Sequence, residues 1–130
     1  MPQHCRILVV DDNVDAADTL VALLATNGFV ACAIYDGSEA VLLAELMKPT
    51  LVFLDIDMPG MDGYDTAACI LRGAPADGHP RLVALTGRSS AGDRTLSTSA
   101  GFDLHVRKPI GCEQLFDLAA AAYDGPEQPH

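Results

Sequence analysis

The sequence Leu51-Val-Phe-Leu-Asp55 joins four consecutive apolar residues to an acid. A continuous apolar run of this length is typical of a strand covered on both faces, as at the centre of a parallel sheet. A second run, Ile7-Leu-Val-Val10, is followed in the same way by Asp11 and Asp12. We therefore predict a parallel α/β sheet whose strands carry carboxylates at their C-terminal ends.

Strand-like runs alternate along the chain with segments of helical period, which is the pattern of successive βαβ units. We predict a first helix capped by Asn13 and ending at about Asn27, with Gly28 just beyond its C-terminus. A tail from about residue 125 is expected to be frayed, and residues 1–130 are expected to form a single domain. The other predicted helices are 38–47, 64–72, about 94–100 and 112–123, and the predicted strands are 6–10, 30–34, 51–54, 81–85 and 104–107.

Composition and charge exclude several classes of protein. The apolar runs are far shorter than the roughly 20 residues of a membrane-spanning helix, and the N-terminus lacks an apolar signal core, so we expect a cytoplasmic protein without membrane contact. The net charge of −10 argues against nucleic-acid binding by this domain, which would need clustered lysine and arginine.

The four cysteines are scattered along the chain without a CxxC pair, and the four histidines are equally dispersed. This pattern predicts buried, reduced thiols and no structural zinc site. The cysteines concerned are Cys5, Cys32, Cys69 and Cys112.

The carboxyl ends of parallel strands open onto a common crevice, so the strand-end acids are expected to lie close together. Two carboxylates 4 Å apart repel by roughly 4 kcal/mol at an effective dielectric constant near 20, unless a cation or proton intervenes. Mg²⁺ prefers oxygen ligands and is commonly held by one or two carboxylates plus phosphate oxygens. We therefore predict a magnesium site that Asp12 and Asp55 bind directly and to which Asp11 contributes through a water molecule.

Two further polar side chains follow apolar runs at the same predicted edge of the sheet. Thr86 closes Val83-Ala-Leu85, and Lys108 follows Leu104-His-Val-Arg107. A carboxylate can act as a nucleophile toward phosphorus while a metal ion neutralises the developing charge. Asp55 is the best-placed nucleophile, and Thr86 and Lys108 would contact the phosphoryl oxygens.

Four motifs in this order resemble the receiver domain of two-component response regulators, and the resemblance covers nearly the whole chain. It implies a (βα)₅ flavodoxin-like fold of the α/β class: a five-stranded parallel sheet of order 2-1-3-4-5 with helices on both faces. The motifs are Val9-Val-Asp-Asp12, Leu54-Asp-Ile-Asp-Met-Pro-Gly-Met-Asp-Gly63, Ala84-Leu-Thr-Gly87 and Lys108-Pro109.

The resemblance implies a role for each site residue. Asp55 would be the phosphoacceptor, and Lys108 would pair with the acyl phosphate. Thr86 would be a switch hydroxyl that moves toward the phosphoryl oxygens, and Pro109 would follow a cis peptide bond. The implied ligands of Mg²⁺, for which Mn²⁺ would substitute, are Asp11, Asp12, Asp55 and the backbone carbonyl of Asp57.

One position departs from the usual receiver pattern. Tyr or Phe is frequent three residues before the lysine, but this chain has His105. The imidazole is expected to take a rotameric role similar to that of the usual ring, and pH sensing is the alternative.

We also expect Asp57 and Arg88 to tune the access of water to the acyl phosphate.

The resemblance further implies the partners. A histidine kinase or a histidine phosphotransfer protein would donate the phosphoryl group, and an unknown downstream protein would recognise the switched face of a monomer or weak dimer. Apart from self-catalysed phosphotransfer and autodephosphorylation, no enzymatic turnover is expected. The position of Met1 close to the first strand favours a stand-alone receiver over one excised from a hybrid sensor kinase.

Two other classes of protein remain as alternatives. Asp55-Ile-Asp57 also resembles the DxD pair of haloacid-dehalogenase-type phosphatases, although those place DxD on their first strand. A flavodoxin-like cofactor carrier is disfavoured, because no phosphate-binding loop of Ser, Thr and Gly follows the first strand.

Overall fold

The computed structural model describes residues 7–56, 63–74, 78–87 and 101–123. Five parallel strands form one sheet of order β2-β1-β3-β4-β5, which confirms the predicted fold class and strand order. The predicted helix at about 94–100 and the predicted frayed tail lie outside these residues. The strands are β1 (Ile7–Val10), β2 (Ala31–Ile34), β3 (Leu51–Asp55), β4 (Arg81–Thr86) and β5 (Leu104–Arg107), and the described helices are α1 (Val14–Thr26), α2 (Gly37–Met47), α3 (Gly63–Arg72) and α4 (Cys112–Tyr123).

The central strands are buried on both faces, as their continuous apolar sequences predict. Every side chain of β1 and the four apolar side chains of β3 are fully buried. Alternate residues point to opposite faces, so the sheet separates two cores. Helices α2 and α3 pack over one face, and α1 and α4 pack over the other. The middle of the sheet is therefore a rigid base for the residues at its C-terminal edge.

The ends of the first two helices follow ordinary capping chemistry. Asn13 Oδ1 accepts a hydrogen bond from the backbone N–H of Ala16 at 3.1 Å, and Gly28 beyond α1 has a φ of +84°. Asp36 caps α2 by accepting a hydrogen bond from the N–H of Glu39. Helix α2 therefore begins at Gly37, one residue earlier than predicted.

The cysteines depart in part from the prediction. Cys69 and Cys112 carry free thiols, of which Cys69 is half-buried and Cys112 is exposed, and Cys32 on β2 is disulfide-bonded. The prediction of buried, reduced thiols is therefore wrong for Cys32, which is oxidised, and for Cys112, which is exposed. Spacing along the chain could not indicate this bond, because the folded distance between two cysteines determines whether they can pair.

No helix within the described ranges is long and apolar enough to cross a membrane.

Candidate functional site

The three acids predicted to form a metal site come together at the C-terminal edge of the sheet. Asp11 directly follows β1 and Asp55 is the last residue of β3, and both are buried, with 1% and 2% of their surface exposed. Asp12 is exposed. One carboxylate oxygen from each of the three residues lies within 4.8 Å of the others. The adjacency of β1 and β3 in the sheet produces this cluster.

Lys108 neutralises part of the acidic charge. Its Nζ lies 3.0 Å from Asp11 Oδ2 and 3.4 Å from Asp55 Oδ2. Burial by itself lowers the pKa of Lys108, but the hydrogen bond to Asp11 and the negative charge of Asp55 outweigh it and raise the pKa above its usual value. The lysine is therefore an ammonium at neutral pH.

Two backbone features hold the main chain of Lys108 at the end of β5. The N–H of Lys108 donates a 2.7 Å hydrogen bond to the carbonyl of Thr86, which ties the end of β5 to the end of β4. The peptide bond between Lys108 and Pro109 is cis, as the family resemblance implied.

The oxygens of Asp11 are suited to binding a cation. The N–H of Asp11 donates to the carbonyl of Ile34, and Asp11 Oδ1 accepts from the N–H of Asn13 at 3.0 Å. Asp11 Oδ2 is buried, and Lys108 is its sole polar partner in the described part of the chain. A buried oxygen with spare acceptor capacity, in a cluster of carboxylates, fits the hard oxygen ligands that Mg²⁺ prefers.

Thr86 and His105 place two further polar atoms near this edge of the sheet. Thr86 ends β4 and is 1% exposed. Its Oγ1 and the Nε2 of His105 are both buried without a hydrogen-bond partner among the described residues. Two other predicted residues, Asp57 and Arg88, lie outside those residues.

The comparisons with known proteins agree with this geometry. The family model of the response regulator receiver domain matches residues 7–120. The chain belongs to this family. Neither alternative class, the DxD phosphatase or the cofactor carrier, is the family that matches.

Two curated relatives of the receiver domain are response regulators. The DNA-binding response regulator MtrA of Mycolicibacterium smegmatis is 38% identical over 110 residues, which cover 85% of this chain and 46% of MtrA. The response regulator MprA of Mycobacterium sp. (strain KMS) is 35% identical over 130 residues, which cover 95% of this chain and 55% of MprA. This chain therefore spans about half the length of the curated relatives it matches.

Solved structures support the fold of the receiver domain. A CheY-like receiver domain protein from Methanospirillum hungatei JF-1 superposes with a TM-score of 0.81 at 24% identity, covering 92% of this chain and 93% of the other. At this level of identity the likeness concerns the fold alone.

Gly63 packs against the backbone beside Asp55, a contact that the sequence did not reveal. It is the first residue of α3, and a Cβ added there would collide with the Cα of Ile56 and lie 2.8 Å from the carbonyl oxygen of Asp55. Helix α3 therefore presses directly on the end of β3. A glycine directly before the predicted helix 64–72 is the available signal, but a turn explains it equally well.

We expect Gly63→Ala to destabilise the receiver domain by about 1–3 kcal/mol, because the added methyl group must displace backbone. Denaturant unfolding measures the change. Gly73→Ala is the matched control, since a Cβ at Gly73 would meet its nearest neighbour at an ordinary 3.7 Å. Equal stability of the two variants would contradict the close packing of α3 against β3.

A surface hydrogen bond at the C-terminal end of β2 was also missed. The Tyr35 hydroxyl donates to Asp18 Oδ1 at 2.6 Å and joins the end of β2 to α1. This hydrogen bond, more than desolvation or charge, raises the pKa of Tyr35. The two residues are 17 positions apart and exposed, so no periodicity pairs them in the sequence.

Proposed function

We propose that this receiver domain accepts a phosphoryl group on Asp55 in the presence of Mg²⁺ and thereby changes a surface that another protein recognises. The observation that carries the proposal is the position of Asp55. Its buried carboxylate belongs to the three-acid cluster and has an ammonium 3.4 Å away. Few structural roles would bury an acid beside two others.

Each residue would have a separate part in the transfer. A carboxylate oxygen of Asp55 forms a bond to phosphorus while the bond between phosphorus and the donor breaks, and the electron pair leaves with the donor. Asp11 and Asp12, with Asp55 and the backbone carbonyl of Asp57, would hold the Mg²⁺. The bound ion, or Mn²⁺ in its place, would neutralise charge on the phosphoryl oxygens.

Lys108 and Thr86 would respond to the product. The Lys108 ammonium already lies between two carboxylates, so a phosphoryl group on Asp55 would give it a new anionic partner. The Thr86 hydroxyl would donate a hydrogen bond to a phosphoryl oxygen. The exchange of contacts would shift an equilibrium between two conformations of the strand ends, with His105 on β5 as a further switch residue.

The donor would be a histidine kinase or a histidine phosphotransfer protein, as the family implies. A cleft of about 440 Å³ lies between α1 and residues 108–110 and is lined by Asp11 and Lys108, so a partner bound against α1 would reach the acids. The output would be contact with another protein, since the charge of −10 disfavours nucleic acid as a ligand of this domain.

Mass spectrometry after incubation with acetyl phosphate and Mg²⁺ tests the proposal. The wild-type chain is expected to gain the mass of one phosphoryl group, and the gain is expected to disappear in Asp55→Asn and to fall when Mg²⁺ is chelated. Asp117→Asn, which changes an exposed acid on α4, is expected to gain the same mass as wild type. A gain that persists in Asp55→Asn would refute Asp55 as the acceptor.

A further inference from the structure

Two buried polar atoms of the sheet have no hydrogen-bond partner among the described residues although they belong to adjacent strands. They are Thr86 Oγ1 on β4 and His105 Nε2 on β5. Leaving a buried donor or acceptor unpaired costs free energy, so such atoms are uncommon in folded proteins. Their unpaired state in this conformation suggests that they are paired in another one.

The strand register brings these two side chains to the same face. Ala84 lies opposite His105, and Thr86 lies opposite Arg107. Residues two apart on a strand share a face, so Thr86 lies on the face of Ala84 and therefore on that of His105. The packing agrees, because Ala84 contributes to one core while Leu85 and Val106 contribute to the other. Thr86 and His105 are thus diagonal neighbours on the same face of two paired strands.

The chemistry of the two groups allows one arrangement that satisfies both. A hydroxyl has one hydrogen to donate and two lone pairs that accept, and a neutral imidazole donates from one ring nitrogen. If Thr86 donates its hydrogen to a phosphoryl oxygen, Oγ1 keeps its acceptor capacity. The buried Nε2 of His105 can fill that capacity only when it carries a hydrogen.

We propose that, once Asp55 is phosphorylated, the Thr86 hydroxyl donates to a phosphoryl oxygen and accepts a hydrogen bond from Nε2–H of His105. This inference rests on the proposed phosphorylation of Asp55. The phosphoryl group would then determine which nitrogen of the His105 ring carries the proton. A phenylalanine ring at this position could occupy the same space but could not make the bond. His105 therefore connects the phosphorylated Asp55, through the Thr86 hydroxyl, to the edge strand β5 by hydrogen bonds.

Long-range proton–nitrogen NMR of the ¹⁵N-histidine-labelled chain tests the link at about pH 8, above the ordinary titration range of histidine. On phosphorylation with acetyl phosphate and Mg²⁺, the His105 Nε2 resonance is expected to change and to lie at the position of a protonated, hydrogen-bonded ring nitrogen. The histidine signal that is missing from the spectrum of His105→Phe is assigned to His105. His79, whose Nδ1 lies 3.1 Å from the carbonyl oxygen of Pro80, is an internal reference that should not change.

Thr86→Val supplies the decisive comparison, because it keeps the shape of the side chain and removes the hydroxyl. The phosphorylated variant is expected to show no change at His105. An unchanged His105 signal in phosphorylated wild type, or an equal change in phosphorylated Thr86→Val, would overturn the link while leaving the proposed function intact. The absence of any phosphoryl gain by mass would instead overturn both.

A second variant keeps the proposal testable if removal of the ring harms folding. In His105→Gln the side-chain amide keeps an N–H donor, and one of its two proton signals is expected to shift on phosphorylation. The same signal is expected to stay in place when Thr86→Val is added. A shift in both proteins would show that the amide does not bind the Thr86 hydroxyl.

Discussion

Lys108→Met is expected to lower the free energy of unfolding of the metal-free receiver domain by about 3 kcal/mol at neutral pH. Two buried carboxylates share this ammonium, at 3.0 Å from Asp11 and 3.4 Å from Asp55. Without it, they face each other and Asp12 with no described cation between them. We take the low end of the usual range for a broken buried ion pair, since the Lys108 side chain is 30% exposed. Denaturant unfolding in the presence of a chelator measures the loss.

Arg107→Met is the matched control, because it removes the same charge from the neighbouring, exposed residue. Its stability is expected to stay close to that of wild type. Mg²⁺ should restore part of the stability of Lys108→Met, because a metal ion can replace the missing positive charge. Equal stability of the two variants without metal would mean that the Lys108 ion pairs contribute nothing to folding.

The stability that Lys108→Met loses is expected to depend on pH in one direction. Folding raises the pKa of Lys108 above its ordinary value of about 10.4, so the ammonium contributes its full stabilisation below that value. The contribution declines as the pH rises through the raised pKa. The stability difference between wild type and Lys108→Met is therefore expected to stay constant around neutral pH and to shrink only in strongly alkaline solution.

Mg²⁺ is expected to stabilise the wild-type protein, by about 2.7 kcal/mol when its concentration is one hundred times the dissociation constant. The three-carboxylate cluster would supply the oxygen ligands, and binding to the folded state alone would shift the unfolding equilibrium. Asp12→Asn should remove most of this effect. Because Asp12 is the exposed member of the cluster, the substitution removes a proposed ligand with little loss of packing. Thermal unfolding across a Mg²⁺ titration measures the effect.

Asp15→Asn is the control for this titration. Asp15 is also exposed and lies in the first turn of α1, but it is outside the three-acid cluster. The control keeps the same net charge as Asp12→Asn, so a general effect of ionic strength would appear equally in both. If Mg²⁺ stabilised both variants as much as wild type, the proposed metal site would be wrong.

The sequence predicted the fold well because its main signals are local. The apolar runs of β1 and β3 are continuous, and the acids follow them directly, so the strand ends were visible without knowledge of the pairing. The observed limits of β5 and α4 equal the predicted ones. For the acids, one general property of parallel sheets was enough to predict that they meet.

The remaining features depend on contacts between distant parts of the chain. A glycine is required at position 63 because α3 lies so close to the backbone of Ile56 that a Cβ would collide with it. No local sequence pattern predicts that distance. The same is true of the disulfide at Cys32 and of the hydrogen bond between Tyr35 and Asp18. For His105, the sequence indicated an unusual ring but not the burial of one of its nitrogens.

The position of β5 at the edge of the sheet, with β4 as its sole neighbour among the described strands, has a consequence for hydrogen exchange. Amide protons of the fully buried β1 and β3, which end at the acids, should exchange only when the whole domain unfolds. Those of β5, which carries His105 and precedes Lys108, should exchange through local openings that require less free energy than global unfolding. The acids would thus be held by the slowest-exchanging amides of the domain, while Lys108 and His105 would lie on a segment that can open by itself.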